Sequence, residues 1–425
     1  MSIRTDPTIP GFRRVPRTGV IYVMHRAEEA GFRYDDPVWA NLGQGSPETG
    51  DLPGAPPRVT SLTVSPASRQ YSPIAGLIEL RQKVADFYNQ IYRQGKKSQY
   101  SYANVSIAGG GRQALTRLAA ALGSINMGHF LPDYTAYEEL LTAFRGFIPI
   151  PILLQRENKY RISAESLRAE IMGRGFTAIL ASNPCNPTGQ VVQGAELQAW
   201  VDLARETQCS LIFDEFYSHY LYATPETPAP PMVSAARYIE DVESDPIVIV
   251  DGLTKNWRYP GWRISWTLAP QSIINTVASA GSFLDGGANH PFQEQAGQLL
   301  DPSLALQEAA AIQAEFQRKR DYTLARLAEM GIGCDAPPEG TFYVWANLSS
   351  LPAPLNDGLA FFQEGLHYQV ITVPGLFFDV NPGRRRTSAR YQNYCRISFG
   401  PDMATLTRGL DSLARMIRAH ALPAV

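Results

Sequence analysis

Residues 247–263 read IVIVDGLTKNWRYPGWR, and the rest of the chain is understood by working outward from them. Ile247 to Val250 is an unbroken β-branched run closed by Asp251 and Gly252. Such a run suits a strand buried on both faces, as in a parallel sheet between helices. An amine follows at Lys255, between Thr254 and the aromatic Trp257, and a guanidinium follows at Arg263. A lysine is ordinarily a solvated surface charge. One that leaves a buried strand with a second cation nearby has its pKa lowered and can condense with an aldehyde.

The same pattern recurs along the chain. Strand-length apolar runs occur at Val105 to Ala108, Ala178 to Ser182 and Leu211 to Phe213. Helical periodicity separates them: Leu115, Leu118 and Leu122 share one face, and Leu197, Trp200, Val201 and Ala204 share another. Alternation of this kind predicts an α/β fold, a mostly parallel sheet covered by helices. In such sheets ligands sit beyond the carboxyl ends of the strands. Those ends carry Gly109-Gly110-Gly111-Arg112, then Asn183 to Gly189, then Asp214-Glu215-Phe216-Tyr217, then Asp251 to Lys255. Glycines opening a helix let backbone N–H groups meet an anion, although alone they also make an ordinary tight turn. They do not spell G-x-G-x-x-G, which removes the fingerprint of a nicotinamide dehydrogenase.

Composition narrows the classes. The chain has 425 residues, 44 % hydrophobic and 18 % charged, enough for a two-domain globular enzyme. Lys plus Arg is 38 and Asp plus Glu is 40, a net charge of −2, which argues against nucleic-acid partners and against an anionic membrane surface. No apolar run approaches the roughly 20 residues of a membrane helix; Phe147 to Leu154 is only strand-sized. Met1 to Pro10 lacks an apolar signal core, and Cys185, Cys209, Cys334 and Cys395 are scattered without metal-ligand spacing. A cytoplasmic protein with neither disulfide nor structural metal is expected.

Residues 1–69 read as a Pro- and Gly-rich arm belonging in part to a small domain, with a basic cluster at Arg13, Arg14 and Arg17 and a short helix near Gly19 to Gly31. Residues 70–300 form the expected large domain and 301–425 the small α+β domain. In the latter a long polar helix, about Leu306 to Met330, leads to strands at Phe342 to Trp345 and Tyr394 to Phe399. Leu406, Leu410, Leu413 and Ile417 mark a closing amphipathic helix.

Asn186-Pro187-Thr188-Gly189, Asp214-x-x-Tyr217, Thr254-Lys255 and Pro260-Gly261-x-Arg263 together resemble the class I/II aminotransferase family of fold-type-I pyridoxal-phosphate enzymes. Arg396-Ile397-Ser398-Phe399-Gly400 and Tyr71-x-Pro73-x-x-Gly76 extend the likeness, which spans about Leu42 to Gly400. The resemblance implies a three-layer αβα large domain and pyridoxal 5′-phosphate as cofactor. It implies an amino group moved from an α-amino acid to a 2-oxo acid through an imine at Lys255, which also shuttles a proton. By the same likeness Asp214 would pair with the pyridine nitrogen, and Tyr217 and Asn186 would meet the ring oxygen. Gly110, Gly111, Arg112, Thr254 and Arg263 would anchor the phosphate, and Tyr134 would stack on the ring. Arg396 would clamp the substrate carboxylate, and Gly45 would sit in a segment closing over substrate. Tyr71 would reach the phosphate of a second copy, which implies a homodimer with shared sites. No metal is implied.

The chain departs from the family pattern at Gly252, where a serine is common, and at Arg112, where a small residue is common. The stretch Phe283 to His290 and the triplet Arg384-Arg385-Arg386 leave the side-chain preference open. Another pyridoxal-phosphate reaction on the same fold (a lyase, β/γ-substitution or cyclisation) shares all these motifs. An aminotransferase-like regulator would need a DNA-binding domain, for which the region before Leu42 is too short.

Overall fold

The computed structural model describes residues 17–144, 146–223 and 230–421. Arg13, Arg14 and Met1 to Pro10 lie outside the described residues; Arg17 is exposed. The helix expected near Gly19 to Gly31 spans Gly19–Glu29 and buries Val23, Met24 and Ala27. After it come β1 (Ala40–Asn41) and a long irregular stretch, with one 3-10 turn at Ala67–Arg69, leading to the helix Ile78–Tyr92.

The central sheet contains β2 (Val105–Ala108), β3 (Asn126–Leu131), β4 (Ile148–Leu153), β5 (Phe176–Ser182), β6 (Ser210–Asp214), β7 (Ile247–Gly252) and β8 (Ser265–Leu268). These seven strands lie in the order β2-β8-β7-β6-β5-β3-β4. β3 to β7 run parallel to their neighbours in this group, whereas β8 is antiparallel to both β7 and β2. Residues 253–264 join β7 to β8 without a crossover helix, so the chain has to turn back on itself. Lys255 and Arg263 ride on that reversal.

Three layers follow from the side-chain alternation. Ile179, Ala181, Leu211, Phe213, Ile247 and Ile249 enter one hydrophobic cluster, while Ala178, Leu180, Ile212, Val248 and Val250 enter the other. Both faces are apolar because helices cover both. The helix Gly194–Thr207 buries Leu197, Trp200, Val201 and Ala204, with the Trp200 ring 5.7 Å from Phe130. At the open edge, Ile148 and Leu154 donate inward, to Ile125 and Leu131. By parity Pro149 and Pro151 face outward, where a missing N–H blocks further strand pairing.

The second sheet runs β12-β13-β10-β9, from β9 (Gly333–Cys334), β10 (Tyr343–Asn347), β12 (Val373–Pro374) and β13 (Tyr394–Ser398). β11 (Val370–Ile371) pairs with β1. The long helix begins at Pro302 rather than near Leu306, because Asp301 accepts from the Ser303 and Leu304 N–H groups and caps it. The closing helix is Met403–Ala421, with Leu406, Leu410 and Leu413 fully buried. Among the described residues no helix is long and apolar enough to cross a membrane.

Candidate active site

The segments that follow β5 and β6 meet the small sheet through Asn186 with Arg396 and Tyr217 with Tyr343. β6 delivers Asp214, which is buried. The Tyr137 hydroxyl donates to Asp214 Oδ2 at 2.7 Å, and the Phe216 N–H reaches Oδ1 only at 3.5 Å. Burial pushes the carboxyl up to about 6, against the pull of Tyr137, Phe216 and Lys255. Tyr217, two positions beyond Glu215, is buried with its hydroxyl 2.9 Å from that of Tyr343.

The loop after β5 is braced by bonds from Asn183 N–H to the Asp214 carbonyl and from Gly189 N–H to the Cys185 carbonyl. It presents Asn186, whose Oδ1 accepts from Arg396 Nη1 at 2.9 Å. Arg396 comes from β13, is fully buried, and donates through Nη2 to the Gly43 carbonyl at 2.7 Å. Its Nε has no partner. The Lys255 amine donates to the Gly45 carbonyl. Burial lowers that amine to about 7, helped by Arg396, Arg263 and Arg112 and opposed by Asp214. An amine so held is half neutral near pH 7 and nucleophilic.

Gly110 precedes the helix Gly111–Ala121 with φ +96, and a Cβ there would stand 2.0 Å from Arg263 Nη2. The glycine therefore allows both the turn and the approach of Arg263. Arg112, in the first turn, donates to the Tyr134 hydroxyl at 3.2 Å. Neither Arg112 nor Arg263 has a carboxylate partner among the described residues, and the helix start itself carries no acidic residue. Thr254 Oγ1 is buried with no partner. Gly252 faces Ser265 across the β7–β8 pair. A Cβ there would lie 2.6 Å from the Ile264 carbonyl, so this chain has no room for the serine common at that place.

The donor set fits pyridoxal phosphate. A near-neutral amine answers an aldehyde, and a buried carboxyl short of partners answers a pyridinium. Two uncompensated guanidiniums beside a helix N-terminus and an orphan hydroxyl answer a phosphate. The structure brings together Lys255, Asp214, Tyr217, Asn186, Arg396, Gly45, Gly110, Gly111, Arg112, Tyr134, Thr254 and Arg263. It leaves Tyr71 outside, 97 % exposed. His290 is engaged with the Gln70 carbonyl at 2.8 Å and Arg386 with Asp379, while Arg384 and Arg385 are exposed. Tyr137 and Tyr343 escaped the sequence reading. Tyr137 stands three positions after Tyr134, a spacing that could have revealed it; Tyr343 enters only through the register of β10 on β13.

The family model described as "Aminotransferase class I and II" matches residues 37–413. A probable aspartate/prephenate aminotransferase of Aquifex aeolicus is 25 % identical over 323 residues, 75 % of this chain and 78 % of the relative. An aspartate aminotransferase of Musicola paradisiaca is 30 % identical over 292 residues, 68 % of this chain and 66 % of the relative. Among solved structures, a single mutant of the Thermus thermophilus aspartate aminotransferase superposes with a TM-score of 0.75. It is 24 % identical, over 95 % of this chain and 97 % of that one, a likeness of fold.

Proposed function

The chain belongs to the class I and II aminotransferase family and is a pyridoxal-phosphate-dependent transaminase of fold type I; from that premise we propose how its own residues divide the work. The cofactor, when bound, supplies an aldehyde that takes up the amino group and a ring that draws electrons from Cα. The Lys255 amine would hold the cofactor at its aldehyde carbon and, when free, would take the proton from the substrate Cα and deliver it to that same cofactor carbon. Asp214, oriented by Tyr137, accepts from the protonated ring nitrogen; the cation offsets the cost of its burial. Tyr217 and the Asn186 amide donate to the ring oxygen. The backbone at Gly110 and Gly111, with Thr254, Arg112 and Arg263, holds the phosphate, and Tyr134 covers the ring face. Arg396, oriented by Asn186, takes the substrate α-carboxylate in place of the Gly43 carbonyl. Gly45 belongs to the segment that shields the site from water.

A division into residues 1–69 (arm and part of the small domain), 70–300 (large domain) and 301–425 (small domain) is supported by the separate seven- and four-stranded sheets and by the pairing of β1 with β11. A homodimer, with Tyr71 reaching the partner's phosphate, is supported by Tyr71 and Phe283, which stand 97 % and 74 % exposed in the single chain. Work in the cytoplasm is consistent with four free cysteines.

The observation that carries this reading is the Lys255 amine, brought to about 7 by burial within reach of a buried carboxyl and uncompensated arginines. A single-turnover experiment tests it. Mixing the loaded enzyme with an α-amino acid should convert the cofactor to its amine form and release one 2-oxo acid, and a 2-oxo acid should reverse the change. Aspartate is the first donor to try, since it names several relatives. Product formation without any amine form of the cofactor would assign a lyase or substitution reaction instead.

A further inference from the structure

Tyr343 lies between the carboxylate clamp and the phenol assigned to the cofactor, and the reading above leaves it without a role. It is fully buried on β10, opposite Ser398, while Trp345 stands opposite Arg396. Tyr343 and Arg396 are therefore diagonal neighbours on one face of the small sheet. The Arg396 guanidinium carbon sits over the Tyr343 ring, 4.1 Å from its centroid. At the far end of the same ring, the hydroxyl lies 2.9 Å from that of Tyr217. The Gly45 backbone packs against it: a Cβ on Gly45 would stand 2.7 Å from the Tyr343 hydroxyl oxygen. The hydroxyl ends a ring locked in the core, so it has little freedom to step aside.

Proton counting sets the direction of the bond. Burial pushes both phenols up, so each carries one proton near neutral pH. If Tyr217 gives its proton to the cofactor's ring oxygen, the contact with Tyr343 survives only with Tyr343 as donor. Donation into a donor strengthens the next bond in the chain. A cation on the ring face makes the phenol a better donor, and an anion that neutralises the cation makes it a poorer one.

We propose that Tyr343 is a positioning residue that relays occupancy of the Arg396 clamp to the cofactor: its ring seats the guanidinium, and its hydroxyl donates to Tyr217. The relay rests on the roles assigned above to Arg396 and Tyr217. With the clamp empty, Tyr217 pulls hard on the ring oxygen, and the bound cofactor gives up its imine proton at a lower pH. When a carboxylate fills the clamp, that pull weakens and the imine becomes the stronger base, so an imine that had lost its proton can take one from the incoming ammonium group.

The test is a spectrophotometric pH titration of the loaded enzyme, with and without saturating succinate as the carboxylate. The wild type should show a colour midpoint that succinate raises. Tyr343→Phe keeps the ring and loses the hydroxyl. Its midpoint without succinate should rise by about 0.5–1 pH unit, the further shift by succinate should shrink, and succinate affinity should stay within about threefold. Tyr343→Leu removes the guanidinium platform as well and should weaken succinate binding about tenfold. In a Tyr217→Phe background, Tyr343→Phe should add nothing. Gly45→Ala presses on the same hydroxyl from the other side and should move the midpoint in the same direction, which covers the case of a poorly folding Tyr343 variant. A coloured Tyr343→Phe enzyme with the wild-type midpoint and succinate shift overturns the relay alone, as does an additive effect in the double variant. Wild-type protein that takes up no cofactor overturns the function on which the relay rests.

Discussion

Burial lowers both the Lys319 and the Lys255 amines, but the charges around them differ in sign: carboxylates draw Lys319 back up, whereas arginines push Lys255 further down. Lys319, fully buried on the long helix, donates to the Glu48 carboxylate and the Pro401 carbonyl, with Glu315 a further 4.0 Å contact. Among the described residues the Lys255 amine donates to the Gly45 carbonyl and feels three arginines, Arg396, Arg263 and Arg112, against one carboxylate, Asp214. The pattern repeats elsewhere in the chain: Arg258 is paired with Glu308 at 2.7 Å, and Arg117 with Asp285 at 2.6 Å. A buried charge compensated within the chain ties segments together. A buried amine left uncompensated is driven toward its neutral form, and the guanidiniums beside it await an anion from outside. Glu48 also explains how one region serves the other. It anchors to Lys319 the same segment whose Gly43 and Gly45 carbonyls lie over Arg396 and Lys255.

Lys255→Ala gives the widest break between the two regions. Turnover should fall about 10⁴-fold, while the protein without cofactor becomes more stable. The folded amine, at about 7, lies below its unfolded value of about 10.4. Folding therefore disfavours the charged amine, fully below about pH 7 and not at all above about 10.4. Thermal scans of the apoprotein should show a gain for the variant that follows that course. Lys319→Met should do the reverse. It leaves Glu48 without its cation and should cost about 3–5 kcal/mol in denaturant unfolding, with the bound cofactor's colour retained; adding Glu48→Gln should restore most of the loss. A smaller effect is expected at Arg396, which belongs with Lys255. Arg396→Ala should raise KM for α-amino acids about 10²-fold and hardly change it for amines without a carboxylate.

The same contrast governs what could be read in the sequence. Strands buried on both faces, such as Ile247–Gly252 and Ser210–Asp214, announce themselves as apolar runs, and Lys255 and Asp214 stand out at their ends. β3 carries Asn126, Gly128 and His129 and does not look apolar. Burial holds that imidazole neutral, at about 4, so it packs like a core residue. In β8, Ser265 and Thr267 interrupt the run, and its reversed direction comes from the loop rather than from its own residues. Motif-borne groups (Asn186, Arg263, Arg396) were legible because each follows a strand or lies on one. Tyr137 and Tyr343 act through partners 77 and 126 positions away, a proximity created by strand order and register.

Lys255, and no other lysine, is proposed to carry the cofactor. Borohydride reduction of the loaded protein, followed by peptide mapping, tests it most directly. One pyridoxyl group per chain is expected, on Lys255, with Lys319 untouched. A label on any other lysine, or protein that remains colourless and unlabelled after incubation with pyridoxal phosphate, would contradict it.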